Sequence, residues 1–301
     1  MRKIMIILSE WGFWGEELIG PLETFDAKGY ESRFFTPNGK RPRALPPSMD
    51  PQYIDPPLGK SVTSAEMAQK VQNIDNPNNQ RLDGPGNLSG WFPERPYWAG
   101  LDDAGTDQDP KYKRPVLRQW EDYYEKRAKA QKEATDQFDA VLLVGGSGPM
   151  IDMVNNYRVH DVILGFLKAG KPIAAECYGV ACLAQARDYN IRKSIIWGKH
   201  VTGHAIEYDY RNNTGVLSPG TPDVLFDKNN QFVNLGPPFY TLEYILRDAV
   251  GPEGQFHGNV GHATSVIVDY PFITGRSTPD SYMTGQKLVE VLEHGLKRYG
   301  W

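Results

Sequence analysis

A strand, a helix and a second strand follow one another within the first 36 residues, and that order leaves few folds open. Residues 4–8 (Ile-Met-Ile-Ile-Leu) form a short β-favouring run that breaks into a loop at Ser9-Glu10-Trp11-Gly12. Residues 16–28 place Leu18, Ile19, Leu22, Phe25 and Ala27 close to helical spacing and stop at Gly29, a helix terminator. A second strand is predicted at 31–36, closed by Pro37-Asn38-Gly39. Two strands running the same way need a long crossover between them, so this unit implies parallel pairing with a right-handed connection.

The alternation returns only after a long interval. Residues 40–137 are rich in Pro, Asn, Asp and aromatic side chains, and 41–57 can sustain neither helix nor central strand. Helices are predicted at 64–71 and 112–137. Nearly a hundred residues without a strand signal is too long for an ordinary loop, and 40–137 reads as an inserted cap or subdomain, or as a dimerisation arm. Residues 138–144 then form a continuous apolar run suited to a central parallel strand. Beyond the Gly-Gly-Ser-Gly-Pro turn at 145–149 come a helix over 158–169, a strand over 171–176 and a helix over 178–186. A strand edge at 197–203, a second irregular insertion at 208–238 and a helix at 241–250 follow. The chain closes with a strand pair over 264–273 and a helix over 280–299. The expected architecture is a single α/β domain spanning 1–301, a mostly parallel sheet sandwiched by helices, with a large insertion after the second strand.

Composition removes several classes of function. A formal net charge of −4 gives no broad electrostatic grip on nucleic acid. Two cysteines, Cys177 and Cys182, cannot build a disulfide scaffold. No apolar run approaches the roughly 18–20 residues that span a bilayer. The expectation is a soluble cytoplasmic protein with no membrane or nucleic-acid partner. Gly165 to Lys171 imitates the start of a phosphate-binding loop, but Pro172 stands where Ser or Thr is required and the context is helix-to-strand. Gly145-Gly146-Ser147-Gly148 lacks the spacing of a dinucleotide fingerprint, so no nucleotide cofactor is expected.

The informative segment is Ala174-Ala-Glu-Cys177-Tyr-Gly-Val-Ala. A buried strand ends at Glu176, the chain turns sharply, and small residues open a helix. That is the layout of a nucleophile elbow, with Cys177 where the Gly-x-Ser-x-Gly version holds serine. A helix N-terminus beneath a cysteine favours thiolate over thiol. The competing reading is a small buried hydrophobe, which suits Cys182, five residues on in the helix body.

Four separated segments carry a family resemblance: Gly15-Glu-Glu-Leu-Ile-Gly-Pro-Leu-Glu, Asp139-Ala-Val-Leu-Leu-Val-Gly-Gly-Ser-Gly-Pro, Ala175-Glu-Cys-Tyr-Gly-Val, and Val268-Asp-Tyr-Pro-Phe-Ile-Thr-Gly-Arg-Ser. In that order they resemble the DJ-1/PfpI superfamily, which has a flavodoxin-like, class I glutamine amidotransferase-like fold, and most of all its larger Hsp31-type members. The match covers roughly 1–40 and 138–300 and leaves the segment between unexplained. The resemblance implies a cofactor-free cysteine nucleophile at Cys177, with Glu17 as the carboxylate beside it and a homodimer as the common assembly. A protonated carboxyl there could donate to the thiolate or shuttle a proton, whereas neighbouring Glu16 suits a solvated helix face. The backbone N–H groups of Gly146 and Tyr178 become oxyanion candidates.

One departure stands out. Many relatives carry Cys-His-Gly at the elbow, and this chain has Cys177-Tyr178-Gly179, so that histidine cannot be carried over. His204, in Val-Thr-Gly-His, resembles the histidine of DJ-1 that sits near its cysteine, and His262 is a second candidate. His204, Glu207, His257 and His262 match no zinc spacing, and no metal is expected. The function that follows is cysteine chemistry on a small electrophile, with a glyoxalase III-like hydration of 2-oxoaldehydes first. An amide hydrolase or isonitrile-type hydratase is close behind, and an oxidation-sensing or holdase protein is the non-enzymatic competitor. Trp14, in the stretch beside Glu17, and Trp91, Phe92, Tyr97, Trp98 and Trp120 are expected to shape a substrate pocket; as an exposed patch they would favour client binding instead.

Overall fold

The computed structural model describes residues 1–55, 58–96, 110–209, 240–258 and 265–301, with the backbone alone over 110–118. Its centre is an eight-stranded sheet. In chain order the strands are β1 (Lys3–Ile7), β2 (Glu31–Thr36), β3 (Gly86–Asn87), β4 (Ala140–Leu143), β5 (Ile173–Glu176), β6 (Val266–Asp269), β7 (Phe272–Gly275) and β8 (Arg298–Tyr299). Their spatial order is β8-β6-β7-β5-β4-β1-β2-β3. From β7 to β3 every pairing is parallel; β6 runs antiparallel to both β7 and β8. The mostly parallel α/β sheet expected from the sequence is the one observed.

Alternation along β1 explains the layering. Successive side chains of a strand face opposite ways, so Ile4, Ile6 and Leu8 join one core while Met5 and Ile7 join the other. On the first face lie α1 (Gly15–Ala27), α2 (Ala65–Asp75) and, further along the chain, the helix Ser281–His294. Leu18, Phe25, Val71 and Leu288 fill that core. The opposite face is covered by α3 (Pro110–Gln137), α4 (Tyr157–Lys168), α5 (Ala181–Gln185) and α6 (Leu242–Val250), through Val162, Phe166 and Leu246 among others. The Ser281–His294 helix is α7. Small residues let α1 and α7 meet closely: a Cβ on Gly20 would lie 2.8 Å from the Ser281 carbonyl carbon, and one on Gly285 would lie 2.7 Å from Pro21 Cα.

The 40–137 region packs onto this frame at several points. β3 extends the parallel sheet beside β2, α2 packs on α1, and α3 packs along α4. The α3–α4 contact is polar at its heart. Asp161 is fully buried, accepts a 2.6 Å hydrogen bond from the Tyr123 hydroxyl and lies 3.7 Å from both Arg95 and Arg127. Among the expected aromatic residues, Trp91 stacks on Phe35 and donates to Glu133, Phe92 is buried, and Trp120 packs on Tyr123 and Tyr124. Tyr97 and Trp98 lie outside the described residues, as does all but the start of the 208–238 insertion.

Three boundaries differ from expectation. The strand at His200–Val201 pairs in parallel with Gln255–Phe256, forming a separate two-stranded unit rather than an edge of the main sheet. The last helix stops at His294, because Gly295 at φ 67° closes it and frees Arg298–Tyr299 to pair with β6. The region after Cys177 is a 3-10 turn, Cys177–Val180, followed by the five-residue α5. No helix among the described residues is long and apolar enough to cross a membrane.

Candidate active site

Cys177 stands at the carboxyl end of β5 with φ of 53°, in the left-handed region that non-glycine residues avoid. This is the strained corner expected of an elbow. The turn brings Sγ to 3.3 Å from His204 Nδ1, and His204 Nε2 lies 3.3 Å from Asp209 Oδ1. Cysteine, imidazole and carboxylate therefore form a chain. Cys177 is 3 % exposed and Asp209 2 %, while the His204 imidazole between them is only partly exposed, so the chain is largely shielded from bulk water.

Glu17 also reaches the sulfur. It sits in the first turn of α1, is 1 % exposed, and shares a side-chain hydrogen bond with Cys177. Burial raises its pKa to about 8, against the opposing influence of the Cys177 hydrogen bond and the His204 charge. At neutral pH the Glu17 carboxyl is thus a proton donor. Two glycines make the approach possible. A Cβ on Gly145 would lie 2.4 Å from Glu17 Oε2 and 2.7 Å from Cys177 Cβ, and one on Gly146 (φ 91°) would lie 2.5 Å from the Trp14 nitrogen.

The expected help of a helix dipole is not what this corner supplies, since only a 3-10 turn and a five-residue helix follow Cys177. Burial pushes the thiol well above its ordinary value and Glu17 adds to this once it ionises, while backbone hydrogen bonds from Gly146 and Tyr178 work the other way. Burial thus favours the thiol over the thiolate. Burial also opposes charge on His204, but Asp209, Glu17 and Asp55 together outweigh it and hold the imidazole above its usual value. An imidazole of raised basicity beside a buried thiol is a base ready to take its proton.

The sequence-derived candidates fall out as follows. Cys177, Glu17 and His204 come together, with the backbone of Gly146 and Tyr178 against the sulfur. Trp14 caps α1, donates its backbone N–H to the Gly145 carbonyl at 3.1 Å, and carries a buried Nε1 with no hydrogen-bond partner among the described residues. Glu16 is half-buried rather than solvated, and burial raises its pKa to about 7. His262 lies outside the described residues. Cys182 is fully buried in the core and burial pushes its thiol far up, as suits a packing residue.

Sequence reasoning missed Asp209. It ends a four-residue helix, Ile206–Asp209, at the head of a stretch read as irregular, where no periodicity marks it. The available signal was an acidic residue shortly after His204. Tyr178 also does more than its backbone implied: its hydroxyl donates to Asp209 Oδ1, and its ring lies 4.7 Å from that of His204.

Comparison with known proteins bears on the fold. A family described as ThiJ/PfpI family-like matches residues 106–215. Over that stretch the chain is similar to the family. Among solved structures, glyoxalase III from Candida albicans superposes with a TM-score of 0.61 at 17 % identity, covering 97 % of this chain and 98 % of that one. Rapid Encystment Protein 24 kDa from Francisella tularensis gives 0.60 at 17 % identity, covering 97 % and 99 %. At such identities the likeness is one of fold. No curated protein matches the chain. In place of the histidine that the sequence resemblance would put directly after the cysteine, this chain has Tyr178, and the imidazole beside the sulfur is that of His204.

Proposed function

We propose that this DJ-1/PfpI-type chain is a cofactor-free, cysteine-dependent enzyme for a small electrophilic carbonyl compound, with hydration of a 2-oxoaldehyde to a 2-hydroxy acid as its reaction. The observation that carries the reading is the Cys177–His204–Asp209 chain with protonated Glu17 hydrogen-bonded to the same cysteine.

His204 Nδ1 takes the thiol proton as Sγ adds to the aldehyde carbon. The new oxyanion rests against the N–H groups of Gly146 and Tyr178 and takes the proton of the imidazolium, directly or by way of Glu17, which leaves His204 neutral. Neutral His204 then removes the hydrogen from the former aldehyde carbon, giving an enediol. Reprotonation at the neighbouring carbon yields a thioester of the 2-hydroxy acid. Water hydrolyses it and frees the thiol. The aldehyde carbon is oxidised and the ketone carbon reduced within one molecule, so the sum is substrate plus water with no external electron carrier. Asp209 keeps His204 basic enough to accept each proton.

The test is incubation with methylglyoxal and a panel of other 2-oxoaldehydes, following the aldehyde and the 2-hydroxy acid. Wild type should convert at least one, and Cys177→Ser and His204→Gln should not. Conversion by Cys177→Ser at the wild-type rate would sink the mechanism.

A further inference from the structure

We infer that the Tyr178 phenol is a positioning residue of this site: it clamps the Asp209 carboxylate against His204 and thereby controls how readily Cys177 gives up its proton. The inference rests on the functional reading above, of which it names a further part.

The geometry is specific. Tyr178 follows the nucleophile directly, so the elbow that turns Cys177 toward the site also fixes the start of the Tyr178 side chain. Its ring lies against His204 at 4.7 Å between centroids and is tilted by 34°. Its hydroxyl donates to Asp209 Oδ1, the same oxygen that faces His204 Nε2 at 3.3 Å. The other oxygen, Asp209 Oδ2, is buried and has no hydrogen-bond partner among the described residues. Asp209 is therefore held in register by two groups on one oxygen, and a four-residue helix offers little else to orient it. Without the phenol, a buried carboxylate left with one contact among the described residues turns toward whatever solvates it, and His204 loses the partner that makes it basic.

His204 is faced by Asp209 from its own short helix, by Glu17 from α1, by Asp55 from the Ile54–Asp55 segment, by the Cys177 sulfur and by the ring of Tyr208. Of these, Asp209 is the group that Tyr178 touches, so a change at Tyr178 reaches the sulfur through Asp209 and His204 in turn. Phenylalanine at 178 removes one oxygen and keeps the ring contact.

The experiment follows alkylation of Cys177 by iodoacetamide across pH 6 to 10, read by mass spectrometry. It compares wild type, His204→Gln, Tyr178→Phe, Asp209→Asn and the Tyr178→Phe/Asp209→Asn pair. One charge-assisted hydrogen bond corresponds to about tenfold in the position of such an equilibrium. Tyr178→Phe should therefore slow alkylation near neutral pH by about tenfold and move the profile upward by roughly one pH unit. The double variant should be no slower than Asp209→Asn alone, because both changes act through one carboxylate. Tyr178→His, which restores a donor on a ring, should recover part of the loss. A Tyr178→Phe profile that superposes on wild type overturns the assignment, as does a double variant slowed by the product of the single effects. Equal rates for wild type and His204→Gln would overturn the functional reading itself, and the role of Tyr178 with it.

Discussion

Glutamate 17 is the group through which the site should announce itself in bulk stability. Its carboxyl titrates near 4.5 when free and about 8 in the fold, because it is buried beside Cys177. Folding therefore takes up a proton between those values, and stability conferred by the protonated group is complete below the free value and lost as pH rises through the folded one. Each pH unit in that window costs ~1.4 kcal/mol. From pH 4.5 to 8 the loss attributable to Glu17 is about 5 kcal/mol, as an order of magnitude. Glu17→Gln keeps the shape and cannot ionise. Urea unfolding of both proteins at half-unit steps from pH 5 to 9 reads Glu17 together with its coupling to Glu16, Glu176 and Asp280, while Asp152, raised by its own burial, contributes equally to each. The difference curve should climb steadily in favour of the variant and flatten above pH 8. Parallel pH profiles would refute the argument, and with it the protonated state assigned to Glu17 in the mechanism.

Two further substitutions probe the frame around the site. Gly145→Ala would place a Cβ 2.5 Å from the Glu176 carbonyl oxygen and 2.7 Å from Cys177 Cβ, both fixed by the elbow, so it should cost about 2 kcal/mol in urea unfolding and slow Cys177 alkylation; unchanged alkylation would show that the Gly-Gly turn is not tight. Asp161→Ala leaves the Tyr123 hydroxyl and the Arg95 and Arg127 charges without their buried carboxylate, and should destabilise by about 3–5 kcal/mol. A loss below ~1 kcal/mol would mean that the α3–α4 contact is held by its apolar part alone.

The strands β1, β2, β4, β5, β6 and β7 were legible as largely apolar or β-branched runs, and the βα alternation leaves little freedom in their order. β8 was hidden in the pattern of the last helix, and β3 was not legible either. Gly86-Asn87 has no strand propensity, and its pairing depends on the Phe35 ring, which a Cβ on Gly86 would meet at 2.2 Å. The fit is a property of two distant segments, invisible in either. The last helix was read too long although Gly295 was in plain sight, since a continuing apolar pattern through Leu296 masked the stop. At the site, Cys177 and the glycine turn were marked by their strand-turn-helix context, and Glu17 by family resemblance. Asp209 and the side chain of Tyr178 became meaningful only when the fold set them around His204, 27 residues beyond Cys177.

The backbone at position 177 separates two kinds of selection. With φ at 53°, the chain there adopts a conformation that glycine enters without steric cost and that a side-chain-bearing residue enters only under strain. Breeding this protein for heat resistance alone, with no demand on its chemistry, would favour loss of the sulfur at that corner. A population of its descendants that keeps cysteine there records a history in which reactivity outweighed rigidity.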